Sequence, residues 1–285
     1  MYCVLTPLFA EAGIKTSLNS TNFLLLCLSS VFVAAAGYII NDYFDLNIDR
    51  INNPGNLIVE KIIPRRLTIL LHLLLSFIGI AIGFYLDYST KVTLVGFSNL
   101  ACAVLLFLYS ISLKKKLLAG NILISLLTAW VVLVITWCEA RFFFRSNTVL
   151  NTPKIARLTM LYAGFAFVIS LIREVIKDME DIEGDRQYGC RTMPIVWGLN
   201  ASKVFVAVWF TVLIAAIVAL QFYVLQFHWF ISSVWCILFI IIPLIWIFKK
   251  MYRAQAPEDF HRLSSAIKLV MLTGILSMIF FRLHV

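Results

Sequence analysis

The sequence predicts an all-α membrane protein: a polytopic bundle of two pseudo-repeated helical halves around a central cavity. Three observations indicate this fold class. The 285-residue chain is 61% hydrophobic with a mean hydropathy of +0.93, above the apolar share of about half that is usual in soluble domains. Its apolar residues are gathered in runs of about 20, the number that a helix needs to cross a bilayer. Two aspartate triplets of identical spacing, 136 residues apart, divide these runs into two halves.

Eight apolar runs are long enough to span a membrane. In chain order they cover residues 22–40, 67–86, 91–113, 117–138, 157–177, 203–225, 229–248 and 263–283. Most of the links between them are short and polar. Residues 1–10 are also apolar but too few to cross a bilayer. We therefore expect eight full spans, and we interpret residues 1–285 as a single transmembrane domain.

The basic residues predict which side of the membrane each link faces. Alternation of the eight spans places four links on one side: 50–66, 114–116, 178–202 and 249–262. That side carries most of the 24 Lys and Arg residues, including the run Lys114–Lys116. Because cytoplasmic links are enriched in Lys and Arg, this side is predicted to be cytoplasmic, in an inner or cytoplasmic membrane. The net charge of +9 is thus largely a topology signal, and it implies no nucleic acid and no protein partner.

The cysteines and histidines do not indicate a metal site or a disulfide framework. The six cysteines are scattered, most of them inside apolar runs, and none forms a CxxC pair. The four histidines include no pair at i,i+4 spacing. Zinc and haem sites require such clusters, so both are unsupported, and the cysteines are interpreted as small core residues.

The acidic residues, in contrast, are concentrated in two windows. Nine of the fifteen lie within residues 42–49 and 174–185. The two triplets share their spacing and are each followed by an arginine and a proline-containing loop; they are Asp42, Asp45, Asp49 and Asp178, Asp181, Asp185. This repetition predicts an internal duplication of the helical unit. The helices that carry the triplets are four apart in the series, an even number, so both triplets are expected on the same cytoplasmic side.

Helical geometry explains what such a triplet can bind. Residues i, i+3 and i+7 of a helix lie within about 60° of one another. Each triplet therefore forms a stripe of carboxylates if its helix continues through it, with Asn41 beside Asp45 in the first. Like charges this close destabilise the helix unless a cation neutralises them. Oxygen ligands without Cys or His favour Mg²⁺, which takes one or two carboxylates together with phosphate oxygens. The triplets therefore predict Mg²⁺ and a diphosphate.

A bound diphosphate also requires cationic donors. The candidates on the predicted cytoplasmic side are Lys61, Arg65, Arg66, Lys114, Lys177, Arg186 and Arg191. Lys115 and Lys116 are interpreted as membrane anchors under the same rule that sets the topology.

These motifs resemble those of the UbiA superfamily of intramembrane prenyltransferases. The stretch NDYFDLNID (residues 41–49) is similar to the family's NDxxDxxxD motif, and KDMEDIEGD (residues 177–185) to its KDxxDxxGD motif. The segment YSISLKKKLLAGN (residues 109–121) resembles the tyrosine–lysine loop between them. The sequence REVIKDMEDIEGD is most similar to that of the ether-lipid branch, the digeranylgeranylglyceryl phosphate synthases. It also shares features with the chlorophyll and tocopherol branches.

The resemblance implies a nine-helix bundle whose cavity opens sideways to lipid and holds two Mg²⁺ ions and an allylic prenyl diphosphate. It implies roles for specific residues. The first metal-binding set would be Asn41, Asp45 and Asp49 with Asp42 in support, and the second Asp178, Asp181 and Asp185. The diphosphate would be bound by Lys114, Lys177 and Arg191, with Lys61 and Arg186 as further candidates. The catalytic residues would be Asp45, Asp181, Lys114 and Tyr109, with Tyr109 near the reacting carbon.

The chain departs from the family pattern at its beginning. The family has a helix before the first motif-bearing one, with an Arg and an Asn that contribute to the acceptor and diphosphate sites. Residues 1–20 contain no such pair. The first helix is therefore expected to be truncated or missing.

The predicted reaction is Mg²⁺-dependent transfer of a prenyl group to a lipophilic acceptor within the membrane lipids. Three alternatives to it are a different acceptor, a different class of membrane enzyme and a transporter. The acceptor is expected to be a glycerol ether such as geranylgeranylglyceryl phosphate, but a quinone-type aromatic precursor fits the residues equally well. CDP-alcohol phosphotransferases also use paired Asp motifs, yet their DG, AR and G array is absent. A transporter would place its acids near the membrane midplane, whereas these lie at helix ends.

Overall fold

The computed structural model describes residues 18–52, 54–91, 94–139 and 152–283. Within these ranges the protein is helical and contains no strand beyond one isolated bridge between Val59 and Ile63. The all-α prediction is confirmed. The expectation of a truncated or missing first helix concerns residues 1–17, which lie outside the described residues.

In the part of the chain that the structure describes, eight long helices follow one another, with short helical turns between some of them. We number the helices α1 (Ser20–Asn52), α2 (Arg65–Thr90), α3 (Val95–Ile111), α4 (Ala119–Cys138), α5 (Thr152–Glu180), α6 (Ile182–Gln187), α7 (Met193–Val196), α8 (Leu199–Leu225), α9 (Phe230–Arg253), α10 (Pro257–Leu276) and α11 (Met278–Leu283). Helix α9 contains one π-helical turn, Ile237–Ile241, which ends two residues before Pro243. A proline inside a helix removes a backbone donor and disturbs the preceding turn.

The long helices coincide with the eight predicted spans. Seven of them are long and apolar enough to cross a membrane, and α3 is shorter at 17 residues. Large apolar side chains point outward along them, such as Phe77 and Leu269, whose surfaces are 70% and 65% exposed. A bilayer covers such side chains. The protein is therefore an integral membrane protein.

Helices α1, α2 and α3 pack together through small and polar residues. Ser29 of α1 donates a hydrogen bond to the carbonyl oxygen of Gly79 at 2.9 Å, and Asn99 of α3 donates to both residues. Within a bilayer, small residues let helices approach and polar groups join them. This contact fixes α1, the helix that carries the first aspartate triplet.

Helix α5 is the centre of the second half. It packs against α4, α8 and α10 and contributes Ile172, Val175 and Ile176 to the larger apolar core, each of them at most 1% exposed. Full burial of such a side chain stabilises the fold by about 1.5–3 kcal/mol. The last turn of α5 begins the second triplet, so this core holds the triplet in place.

Candidate active site

The ends of α1 and α5 meet at a cavity of about 310 Å³. All seven residues predicted as metal ligands line it, namely Asn41, Asp42, Asp45, Asp49, Asp178, Asp181 and Asp185. Tyr109, Lys114 and Lys177 line it as well. The structure thus brings together ten of the predicted site residues and places both triplets on one side of the bundle.

The first triplet lies on an uninterrupted helix, as its spacing predicts. Helix α1 continues to Asn52, beyond Asp49. Asn41 donates a hydrogen bond to the Oδ2 atom of Asp45 at 2.7 Å, one helical turn apart. Lys114 forms an ion pair with Asp45 and donates to the Oδ1 atom of Asn41 at 3.3 Å. A cation from the α3–α4 connection therefore neutralises the middle carboxylate of this triplet.

Gly120 explains how Lys114 comes so close to the helices. A Cβ atom at Gly120 would lie 2.8 Å from the Cα of Lys114 and 3.0 Å from the ring of Tyr109. Real Cβ contacts are not so short, so only glycine lets the start of α4 approach this connection. The tyrosine–lysine loop is thus pressed against α4, with both side chains at the cavity.

The second triplet departs from the single helix that its spacing predicts. Helix α5 ends at Glu180, Asp181 lies in the break, and α6 begins at Ile182. The expectation of one continuous helical stripe is therefore wrong for this triplet. The backbone nevertheless keeps near-helical hydrogen bonds, from the Asp181 amide to Lys177 at 3.0 Å and from the Asp185 amide to Asp181 at 3.1 Å. The three carboxylates consequently still face one cavity.

Asn52 is the last residue of α1, in the first half of the protein, and its side chain forms hydrogen bonds to the residues at this break. Its side-chain amide donates to the carbonyl oxygen of Asp181 at 3.2 Å, and its Oδ1 atom accepts from the Gly184 amide at 2.8 Å. A Cβ atom at Gly184 would lie 2.6 Å from that same oxygen. Glycine is therefore required where the two halves join.

Asp178 has a partner of its own. Asn121, in the first turn of α4, donates a hydrogen bond to its Oδ2 atom at 2.8 Å. Each triplet thus contacts an asparagine: Asn41 for Asp45 and Asn121 for Asp178. Asn121 belongs to the quoted tyrosine–lysine segment, but its role as a partner of Asp178 depends on tertiary packing.

The carboxylates at the break are electrostatically frustrated. Burial, together with Glu180, Asp185 and Asp49, raises the pKa of Asp181 to about 7 against the opposing effect of Lys177. Burial and the neighbouring Asp45 raise the pKa of Asp185 to about 6. Clustered, partly desolvated carboxylates disfavour their own ionised forms. A bound cation would remove this penalty.

The donor set fits Mg²⁺ that is shared with a phosphate. Every predicted ligand supplies oxygen, the donor that Mg²⁺ prefers. Among the described residues, no three His, Cys, Asp or Glu side chains converge into an all-protein metal cage. Mg²⁺ is typically bound by one or two carboxylates, waters and substrate phosphates. Two facing triplets match that pattern better than a site closed by protein alone.

Five of the seven predicted basic residues lie away from the cavity. These residues are exposed and are not part of its lining: Lys61, Arg65, Arg66, Arg186 and Arg191. Lys61 donates to the carbonyl oxygen of Pro54 at 3.0 Å, and the Arg191 amide donates to the carbonyl oxygen of Lys115 at 2.8 Å. Their predicted role in diphosphate binding is not supported by their position.

Further residues of α5 and α10, which the sequence motifs do not single out, also line the cavity. They are Arg173, Glu174, Glu180, His261, Ser264 and Lys268. Arg173 and Glu174 form an ion pair. A signal was available for Lys268, because it lies inside an apolar run, where a charged residue is costly and usually functional.

Comparison with known proteins gives a consistent family assignment. The model of the UbiA prenyltransferase family matches residues 1–272. A digeranylgeranylglyceryl phosphate synthase of Methanosphaera stadtmanae is 29% identical over 250 residues, which are 87% of this chain and 83% of that protein. A second, of Methanothermobacter thermautotrophicus, is 36% identical over 202 residues, 70% of this chain and 64% of that protein. The match thus spans less than two thirds of the second relative.

Two solved structures share the fold. An apo UbiA homolog from Aeropyrum pernix K1 has a TM-score of 0.65 at 17% identity, with 97% of this chain and 98% of that chain covered. A structure from work on digeranylgeranylglyceryl phosphate synthase in membranes has a TM-score of 0.59 at 22% identity, with 100% and 93% covered. At such identities the likeness supports the architecture.

Proposed function

This chain belongs to the UbiA prenyltransferase family, and from that premise we propose that it transfers a prenyl group from an allylic prenyl diphosphate to a glycerol ether phosphate. The observation that carries the proposal is the meeting of both aspartate triplets, Lys114 and Lys177 at one cavity. The acceptor class is suggested by relatives named digeranylgeranylglyceryl phosphate synthase. We place the cavity on the cytoplasmic side because the links that flank it carry the Lys and Arg excess.

The two triplets would hold two Mg²⁺ ions between them. Asn41, Asp42, Asp45 and Asp49 would supply one set of oxygens and Asp178, Asp181 and Asp185 the other. Bound Mg²⁺ neutralises charge on the diphosphate as its bond to the prenyl carbon breaks. Family members typically use this ion, which supports the assignment.

The lysines contribute the protein's own electrostatic stabilisation. Lys177 extends into the cavity without an ion pair among the described residues. Lys114 is paired with Asp45, and Mg²⁺ ligation by Asp45 would free the ammonium group for a phosphate oxygen. Cationic donors aimed at a leaving group that gains charge lower the barrier, each by about 3–4 kcal/mol in comparable sites.

Tyr109 and the surrounding bilayer would protect the reacting carbon. The Tyr109 ring lines the cavity, and an aromatic face stabilises an allylic cation by about 1–2 kcal/mol without attacking it. Exclusion of water prevents hydrolysis of such a cation. The acceptor hydroxyl would then form the new C–O bond to the allylic carbon and pass its proton to the released diphosphate, which departs.

The test is a transfer assay with purified protein in detergent, Mg²⁺, geranylgeranyl diphosphate and a glycerol ether phosphate. We expect a prenylated ether and an equal amount of diphosphate, and we expect EDTA to abolish both. Turnover that survives EDTA would refute metal dependence. Transfer to an aromatic acid instead of the glycerol ether would refute the acceptor class.

A further inference from the structure

Helix α10 presents a polar stripe to the cavity opposite the aspartates. His261, Ser264 and Lys268 all line it, and their i, i+3, i+7 spacing places them on one face of the helix. Lys268 is the sixth residue of the predicted span 263–283, so it lies inside the apolar part of the helix. A lysine inside a membrane span is costly, and it is retained when it has a functional partner.

Two contacts fix how this stripe faces α5. Glu180 and His261 are joined at 2.7 Å near one end of the helix pair, and the hydroxyls of Tyr162 and Ser277 at 2.9 Å near the other. The two helices are therefore antiparallel. Lys268 lies two turns from His261, about 10 Å along α10.

The same two turns, counted from Glu180 along α5, reach Arg173. Arg173 and Lys268 are consequently at the same depth on adjacent helices, and both line the cavity. One turn nearer the Glu180–His261 contact, Lys177 is level with Ser264. Cationic and hydroxyl groups therefore follow one another along the wall formed by α5 and α10, from the Glu180–His261 contact towards the interior of the bundle.

Neither deep cation is fully satisfied by protein groups. Arg173 forms an ion pair with Glu174 through its Nη1 atom, but its Nε atom is buried without a hydrogen-bond partner among the described residues. Lys268 has no ion pair in the described part of the chain. A guanidinium carries five donors in a planar fork. Arg173 can therefore bind a further anion without releasing Glu174.

We propose that Arg173 and Lys268 bind the phosphate monoester of the acceptor, at a subsite separate from that of the prenyl diphosphate. This inference rests on the proposed function. The diphosphate already has Mg²⁺, Lys114 and Lys177, whereas α10 contributes no carboxylate to the lining and has no other assigned role. A phosphate monoester carries nearly two charges at neutral pH, which matches two cations better than a single carboxylate does.

The subsite would explain why the protein uses an acceptor with a phosphate group in preference to one without it. Lys268 is exposed to the cavity. An acceptor that lacks the phosphate would cover Lys268 and the buried Nε atom of Arg173 without giving either of them a partner. Unpaired buried polar groups give strong discrimination against analogues that lack the complementary group. His261 and Ser264 lie between these cations and the cavity mouth, so they are further hydrogen-bond donors along the path of the phosphate.

The test compares wild-type protein with Lys268→Met, Lys268→Arg and, as a matched control, Lys250→Met. Lys250 is an exposed lysine that lies over the Trp246 ring, 5.0 Å from its centroid, and does not line the cavity. The acceptors are a glycerol ether phosphate and the same ether without its phosphate. The readouts are KM for each substrate and direct binding of the phosphorylated acceptor.

We expect Lys268→Met to raise both KM and Kd for the phosphorylated acceptor by about 10- to 100-fold, the loss of one charge-assisted hydrogen bond. The KM for the prenyl diphosphate should not change. Lys268→Arg should restore most of the affinity, and Lys250→Met should match wild type. The unphosphorylated ether should be used at least as well by Lys268→Met as by wild type, because the variant has no cation at position 268 to leave unpaired.

Three results would overturn the subsite. They are an unchanged affinity for the phosphorylated acceptor in Lys268→Met, a parallel rise in KM for the prenyl diphosphate, and an equal loss with both acceptors. If the wild-type protein transfers no prenyl group, the proposed function fails, and the binding measurement still decides the subsite. Thermal unfolding in detergent establishes that each variant is folded.

Discussion

The two aspartate triplets have the same spacing and different backbones. Helix α1 runs through its triplet without interruption to Asn52, whereas α5 stops at Glu180 and the chain restarts as α6. The first triplet is held by its own helix and by Lys114, and the second by a side chain of the opposite half. The duplication therefore preserves the positions of the carboxylates and not the way in which each set is supported.

The two halves therefore fix the positions of their carboxylates in different ways. A continuous helix provides a rigid row of ligands whose geometry is set locally. A broken helix fixes its carboxylates through a tertiary contact, so the Asn52–Gly184 junction couples the assembly of the two halves to the geometry of the second triplet. Substitutions in the two triplets, at the cavity lysines and at the junction test this asymmetry.

Removal of the central carboxylate from either triplet should nearly abolish activity. We expect Asp45→Ala and Asp181→Ala each to lower kcat/KM by about 10³-fold or more, because each would remove a proposed ligand of the Mg²⁺ that stabilises the leaving group. The measurement is prenyl transfer at saturating Mg²⁺. Equal losses would indicate that the triplets are chemically equivalent despite their different backbones.

The matched control for this experiment is Glu183→Gln. Glu183 is an exposed acid within the second motif and does not line the cavity, so its loss should leave kcat/KM within about twofold of wild type, as for most surface substitutions. Wild-type rates in Asp181→Ala would exclude the second triplet from the site. Unfolding of either variant in detergent would make Asp→Asn the informative substitution.

Substitution of the two cavity lysines should have similar effects on the rate but different effects on the Mg²⁺ dependence. Lys114→Met and Lys177→Met are each expected to lower kcat/KM by about 10²-fold, the usual effect of one lost donor to a developing anion. Lys114 also neutralises Asp45 in the absence of substrate, so only its loss should shift the Mg²⁺ dependence. Titration of Mg²⁺ at fixed prenyl diphosphate measures this shift.

Lys115→Met provides the control for the lysine variants, because Lys115 is adjacent to Lys114 in sequence but exposed and outside the cavity. We expect it to resemble wild type in both rate and Mg²⁺ dependence. Identical Mg²⁺ curves for Lys114→Met and Lys177→Met would show that the contact with Asp45 has no functional consequence.

Much of this arrangement is predictable from sequence because its signals are local. Apolar runs of fixed length indicate the spans, and the repeated spacing indicates that two sets of carboxylates belong to one site. The helical face of Asp42, Asp45 and Asp49 is predicted correctly since α1 contains no residue that interrupts it. The basic-residue count indicates topology through a rule that needs no tertiary information.

The features that escape prediction are tertiary. The break at Asp181 is stabilised by Asn52, 129 positions earlier, and no local sequence pattern predicts that contact. The partnership of Asn121 with Asp178 depends on how α4 packs against α5. Lys61, Arg186 and Arg191 show the converse case: each is close to a motif in sequence, but its side chain does not line the cavity.

The junction between the halves gives the third prediction, on stability. Gly184→Ala places a methyl group 2.6 Å from the Asn52 side chain and should lower the free energy of unfolding by about 1–3 kcal/mol, as for overpacked contacts. Addition of Asn52→Ala should relieve the clash, so the two substitutions should be non-additive. Thermal unfolding of the four proteins in detergent measures the coupling.

Gly164→Ala is the control for the junction. A Cβ atom at Gly164 would have no neighbour within 4 Å, and alanine is the better helix former, so stability should stay equal or rise slightly. Additive effects of Gly184→Ala and Asn52→Ala would contradict a direct contact between the two residues. The second triplet would then owe its position to α5 alone.

The smallest effect is expected for the basic residues outside the cavity. Lys61→Ala, Arg186→Ala and Arg191→Ala should each change KM for the prenyl diphosphate by less than about threefold, because exposed charges are screened and contribute little. Lys177→Met, measured in parallel, supplies the large effect for comparison. A rise of about 10-fold or more in any of the three would mean that the chain closes over the diphosphate and brings that residue to it. Arg191 would be the most informative case, because its backbone is already bonded to Lys115, next to Lys114.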